Sequence, residues 1–127
     1  MDDVCEKLSW SETAPREARG LLAAYLAGPD SDGLLRDAQL LVSELVTNAL
    51  CHAGGPIELR ASCTDEVVRV EVRDTSSVMP LLRAPNGGGR GLHIVAAIAT
   101  RWGASRDDRG GKVTWFELAR PRSGGDL

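Results

Sequence analysis

Two consecutive runs of alternating apolar and polar residues restrict the fold more than any other feature of this chain. Ile57, Leu59, Ala61 and Cys63 alternate with Glu58, Arg60 and Ser62, and Val68, Val70 and Val72 alternate with Arg69, Glu71 and Arg73. Successive side chains of a strand point to opposite faces, so each run has one face to bury and one to solvate. The short link Thr64-Asp65-Glu66 makes the two runs a hairpin. Its apolar face needs a cover, and the flanking segments supply helices. The first predicted helix takes Thr13 as N-cap and Pro15 in its first turn, and it reaches about Ala27 before Gly28-Pro29 stops it. The second is capped from among Asp30, Ser31 and Asp32, continues to His52 or Ala53, and ends at Gly54-Gly55-Pro56. A third spans Leu92 to about Thr100. Val4 to Trp10 reads as a first strand, and Trp102–Arg106 with Val113–Leu118 as a second hairpin joined through Asp107-Asp108-Arg109-Gly110-Gly111. Hairpins beside grouped helices imply an α+β two-layer sandwich, with a mostly antiparallel sheet packed on three helices. Strict βαβ alternation is missing, which disfavours a Rossmann fold.

The chain has 127 residues, enough for one domain over residues 1–120, with residues 121–127 expected to be a disordered tail. A domain of that size folds without disulfides or a structural metal. Fifteen basic against 18 acidic residues leave a net charge of -3. No cationic excess exists to hold a phosphate backbone, which argues against nucleic acid as the main partner. No apolar run approaches the roughly 18 residues of a membrane helix. The stretch Met1-Asp2-Asp3-Val4-Cys5-Glu6 carries acids where a signal peptide would carry cations, so a cytoplasmic location is expected. Cys5, Cys51 and Cys63 form no CxxC pair and read as reduced thiols.

On a helical wheel at about 100° per residue, Leu34, Ala38, Leu41, Val42, Leu45, Val46 and Ala49 share one broad face of the second helix. Glu44, Asn48 and His52 follow at i, i+4 and i+8 along one flank. One reading is a solvated helix edge with a core-facing histidine bonded to a carbonyl. The other is a metal and phosphate site. The amide oxygen of Asn48 suits Mg²⁺, a hard cation that prefers oxygen and keeps its waters, and Glu44 one turn away can accept a proton from a nucleophile.

Asp74 directly follows an alternating strand. It reads either as a turn former or as a hydrogen-bond acceptor for the exocyclic amine of adenine. An ionised carboxylate accepts only, and would refuse the carbonyl that guanine presents in the same place. Gly87, Gly89 and Gly91 precede the third helix at GxGxG spacing, with Arg90 inside the run. Such a loop is either a plain surface connection or an anion cradle, since bare backbone and a helix N-terminus both favour phosphate. It is no Walker A loop, because no Gly-Lys-Ser/Thr follows, and no strand directly precedes it as a Rossmann fingerprint requires.

Taken in order, the segment Glu44 to Ala53, the hairpin ending in Asp74, and Gly87-Gly88-Gly89-Arg90-Gly91-Leu92 resemble the N, G1 and G2 boxes of the GHKL ATPase superfamily. The stretches Leu41 to Ala49 and Gly110 to Leu118 look closer still to one branch, the small anti-sigma factor serine kinases common in actinobacteria. The resemblance spans about Leu8 to Leu118. It implies a histidine-kinase-like ATPase fold that binds ATP with Mg²⁺. By resemblance, Asn48 holds the metal, Glu44 is the general base, Asp74 binds the adenine amine, and Gly87, Gly89 and Gly91 wrap the phosphates. Arg90 and Leu92 belong to the same nucleotide-binding stretch, Thr114 supports the adenine through water, and His52 either backs a site residue or is a structural group. His93 is expected to pack or to sit at the helix start. The G1 box departs from its usual Asp-x-Gly-x-Gly form, because Ser76 and Val78 replace both glycines.

The resemblance further implies partners. A STAS-domain anti-anti-sigma protein would supply the serine, and a sigma factor would be held inactive. Dimers are usual among such relatives, so a homodimer is one expectation, although no residue pattern here encodes it. Two other readings stay open: a nucleotide-gated binding protein that transfers no phosphate, and an interaction domain with a degenerate pocket.

Overall fold

The computed structural model describes residues 3–27, 32–52, 55–76 and 90–120. Its elements are β1 (Val4–Leu8), α1 (Ala14–Tyr25), α2 (Asp32–His52), β2 (Ile57–Cys63), β3 (Val67–Asp74), α3 (Arg90–Ile98), β4 (Arg101–Arg106) and β5 (Lys112–Ala119). The strands form one sheet in the order β1-β2-β3-β5-β4. Every neighbouring pair among them is antiparallel, so the sheet described is wholly rather than mostly antiparallel. The three helices cover one face, making the expected α+β sandwich. Among the described residues no helix is long and apolar enough to cross a membrane. The proposed tail, residues 121–127, lies outside the described residues.

The period-two pattern fixes which side of the sheet is dry. Leu59, Ala61, Val68, Val70, Val72, Phe116 and Leu118 all point inward. They meet Ala14, Ala18 and Leu22 of α1, Leu41, Val42, Leu45, Val46 and Ala49 of α2, and Leu92 and Val95 of α3 in one core. The apolar face drawn on the α2 wheel is the face that is buried. On the opposite side of the sheet, Arg69 bonds Glu71 at 2.8 Å and Glu117 at 3.0 Å, and its guanidinium lies 4.0 Å from the centre of the Trp115 ring. Arg101 reaches Glu117 from β4 at 2.9 Å. Gly103 faces Trp115 across the β4–β5 ladder, where a Cβ would sit 2.9 Å from the indole. These ion pairs are partly exposed and contribute about 1 kcal/mol or less each.

The element ends differ from expectation where long-range contacts decide them. The first strand stops at Leu8, not Trp10, because the chain turns at Ser9 to bond with α1. The Ser9 N–H donates to Glu17 Oε1 at 2.9 Å, and the hydroxyls of Ser9 and Thr13 donate to Glu17 Oε2. Trp10 is left 53% exposed. Thr13 occupies the N-cap position but makes no side-chain cap bond to the backbone; its hydroxyl is spent on Glu17 instead. Helix α1 closes at Tyr25, with the Leu26 N–H returning to the Leu22 carbonyl at 2.8 Å. Helix α3 begins at Arg90, two residues before Leu92, and ends at Ile98.

The Ser9 hydroxyl, then the Ser9 N–H, then the Thr13 hydroxyl hold the Glu17 carboxyl below its ordinary range. A folded-state pKa lowered in this way adds stability above the unfolded pKa, and that stability is lost as pH falls through the folded value. Glu17→Gln should therefore lower the urea midpoint at about pH 7 and leave it nearly unchanged at about pH 3. Equal shifts at both pH values would refute this role for the charge.

Candidate functional site

Four chain segments meet at one end of the sandwich, and connectivity places them there. Strand β3 ends at Asp74, which faces Lys112, the first residue of β5. Strand β4 ends at the same edge, with Arg106 opposite Lys112. Strand β2 starts there too, since Glu58 faces Arg73. Only residues 53–56 separate the end of α2 from the start of β2, so the C-terminal turns of α2 come to this end. Helix α3 is followed almost at once by β4, which begins at the far end, so α3 presents its N-terminus to the near one. Helix α2 packs on β3, β5 and α3, which closes the arrangement.

Asp74 and Lys112 form a salt bridge inside this end of the fold. Lys112 Nζ lies 2.7 Å from Asp74 Oδ2, and the two side chains are 1% and 2% exposed. The other carboxylate oxygen, Oδ1, accepts the Ser76 N–H at 2.8 Å. The Asp74 carboxylate thus makes the Asx-type turn that one reading expected. Each oxygen of Asp74 accepts a bond from within the chain.

Glycine sets how closely the strands approach. A Cβ on Gly111 would lie 2.0 Å from the Asp74 carbonyl oxygen, so only glycine lets β5 start where it does. Its neighbour Gly110 holds the left-handed turn, at φ +96°. Gly55 approaches the Thr75 side chain, where an added Cβ would lie 3.3 Å away, so the entry to β2 sits beside the exit of β3.

Glu44 and Asn48 are half-buried on α2, and His52 is exposed at its last turn. Among the described residues neither Glu44 nor Asn48 has a side-chain hydrogen bond or ion pair. The preceding Ser43 anchors the helix rotation by accepting a bond from Arg19 of α1 at 2.9 Å. His52 therefore does not turn into the core as one reading of the seam required. Thr114 is buried on the same face as Lys112 and lies between Val72 and Ala104 in the ladder. Leu92 gives its side chain to the core, which leaves only its backbone for a ligand. Arg90 and Gly91 form the first turn of α3. His93 is half-buried, and among the described residues its Nε2 has no partner. Gly87, Gly89 and Val78 lie outside the described residues.

The residue the sequence reading missed is Lys112. Its signal was the strand parity: Lys112, Thr114, Phe116 and Leu118 share one face, so a lysine in phase with Phe116 must be buried. Among the described residues no cluster of three His, Cys, Asp or Glu could hold a metal unaided. Asn48 still fits Mg²⁺, because that ion takes few protein ligands and completes its shell with water and phosphate.

Two comparisons with known proteins bear on this geometry. A search of curated proteins finds no match. A family model described as the histidine kinase-like ATPase domain matches residues 10–117, from the turn before α1 to within two residues of the end of β5. That span contains the α2 seam, Asp74, the start of α3 and Lys112, and on it the chain belongs to the histidine kinase-like ATPase domain family.

Proposed function

We propose that this protein is a cytoplasmic, ATP-binding anti-sigma regulatory factor with serine/threonine protein kinase activity towards a STAS-domain anti-anti-sigma protein. Membership of an ATPase domain family supports nucleotide binding. The kinase and anti-sigma assignments rest on the sequence resemblance. The observation that carries the reading is the packing of α2, which bears Glu44 and Asn48, against β3 and β5, which bear Asp74 and Thr114. The proposal includes a sigma factor as the sequestered partner and a second copy of the chain as a dimer mate.

In this reading Asn48 would hold Mg²⁺, and the ion would supply positive charge to neutralise the phosphate oxygens. The backbone at the start of α3 adds the partial positive charge of a helix N-terminus. Glu44 takes the proton of the incoming serine hydroxyl. The serine oxygen bonds to the γ-phosphorus, the bond to the β-phosphate oxygen breaks, and ADP leaves. Alignment and electrostatics account for most of the rate in such a transfer.

The test is labelled ATP with a cognate STAS protein. Micromolar, Mg²⁺-dependent ATP binding is expected, with Asn48→Ala weakening it about tenfold or more. Phosphate should appear on a serine, and Glu44→Ala should slow its transfer by about 100-fold to 10,000-fold while ATP stays bound. A second reading, in which nucleotide gates partner binding and no phosphate moves, is favoured by one feature: Asp74 is already closed by Lys112 and Ser76. An ATP-loaded wild type that phosphorylates no verified partner would select that reading.

A further inference from the structure

We propose that Lys112 decides the base specificity of this site: its ammonium fills, from within the chain, the acceptor position on Asp74 that an adenine amine would need, so the nucleotide is held by its phosphates and its base is not read there. The proposal rests on the nucleotide-binding reading above and specifies its ligand class, nucleoside triphosphates irrespective of the group at purine C6.

An exocyclic amine and an ammonium make the same kind of contact with a carboxylate, each through N–H donors. Lys112 Nζ makes that contact here, 2.7 Å from Asp74 Oδ2, a distance typical of a charge-assisted bond. The other oxygen, Oδ1, takes the Ser76 N–H at 2.8 Å. The ammonium adds the attraction of opposite charges, which a neutral amine lacks. Exchange would also strand the Lys112 cation, because its side chain is 1% exposed and a buried charge that loses its counter-ion is costly. An adenine amine therefore loses the contest for Asp74. Strand register keeps the occupant in place. Asp74 and Lys112 are directly opposed in the β3–β5 ladder. The lysine lies in phase with Thr114, Phe116 and Leu118 on the buried face of β5.

The α2 seam is the converse. Glu44 and Asn48 are half-buried, and among the described residues their side chains have no hydrogen bond or ion pair. The groups read as serving metal and phosphate thus lack internal partners there, while the group read as serving the base is matched inside the fold. The magnesium triphosphate is the same in every nucleoside triphosphate, so recognition confined to that half carries no base preference. A carboxylate selects an amine over a carbonyl only where it meets the base, because it has nothing to donate to a carbonyl oxygen. Thr114, next on the same face, carries a hydroxyl that donates or accepts and so adds no preference.

Inosine triphosphate is the probe, because it carries a carbonyl where ATP carries the amine. Titration calorimetry of the full chain with the two magnesium nucleotides should give dissociation constants within about tenfold of each other. Lys112→Ala removes the ammonium and the stem beyond Cβ, which frees Asp74 Oδ2 and leaves room beside it. That variant should prefer ATP over ITP by about 100-fold. The ratio compares two ligands on one preparation, so a partly unfolded variant does not bias it. A wild type that prefers either nucleotide by more than about tenfold overturns the proposal and leaves nucleotide binding standing. A Lys112→Ala ratio that stays at the wild-type value overturns it as well. If that variant yields no folded protein, the wild-type ratio alone decides. Failure of the wild type to bind either nucleotide would overturn the nucleotide reading together with this inference.

Discussion

Lys112→Met is expected to lower the free energy of unfolding by about 3–5 kcal/mol. Methionine fills much of the lysine stem, so little of that loss comes from an empty cavity. The loss comes from Asp74, whose carboxylate becomes a buried anion that keeps, among the described residues, the Ser76 N–H as its donor. Removing one partner of a buried pair is far more damaging than removing the pair, because the survivor's charge is left without solvent or counter-ion. Asp74→Asn/Lys112→Met should therefore lose less than the two single changes summed, with a coupling of about 1–3 kcal/mol. The asparagine oxygen can still accept from Ser76, and no net charge is left inside. Urea unfolding with a common slope measures all four proteins. The contrast within the same chain is the solvated face, where Arg69→Met should cost about 1 kcal/mol despite two ion pairs and a stacked tryptophan. A Lys112→Met protein as stable as the wild type would mean that the pair is hydrated in solution.

That pair also marks how far the sequence could be read. Period-two alternation identified both faces of β2 and β3, because a slip of one residue would have turned Val68, Val70 and Val72 to solvent. The i, i+4 spacing put Glu44 and Asn48 on the margin of the buried face of α2, and they are half-buried there. Contacts between distant segments were harder to see. The hairpins β2–β3 and β4–β5 follow from short links, but the junction of β3 with β5 joins residues 38 apart at its Asp74–Lys112 bond, and no local signal encodes it. Beginning the last strand at Val113 left Lys112 between the turn and the strand; extending the alternation back by one residue places it in phase with Phe116. The end of β1 was missed for a similar reason. Trp10 suits a strand by residue type, yet Glu17, eight residues past Ser9, draws the chain into a turn.

The second large effect is expected at Gly111. An alanine Cβ there would lie 2.0 Å from the Asp74 carbonyl oxygen, 3.0 Å from its carbonyl carbon and 3.2 Å from the Thr75 Cα. All three are backbone atoms, so no rotamer change relieves the clash, and β5 must move away from the end of β3. The displacement falls on the step of the ladder that opposes Asp74 and Lys112. Gly111→Ala should therefore combine overpacking with a strained or broken ion pair and cost about 3 kcal/mol or more, a fall in melting temperature of roughly 10 °C. If Asp74 accepts the adenine amine, as the resemblance implies, nucleotide affinity should fall with it, because Asp74 loses its register. Gly110→Ala is the control from the adjacent residue. Among the described residues nothing lies within 4 Å of an added Cβ there, and the φ of +96° is what opposes it. Its cost should be about 1–2 kcal/mol, from conformation alone, with the pair left in place and nucleotide binding retained. Two neighbouring glycines would thus separate a backbone requirement from a spatial one. If Gly111→Ala melts with the wild type and binds nucleotide as well, the strands part freely at this end, and register is not what holds Lys112 against Asp74.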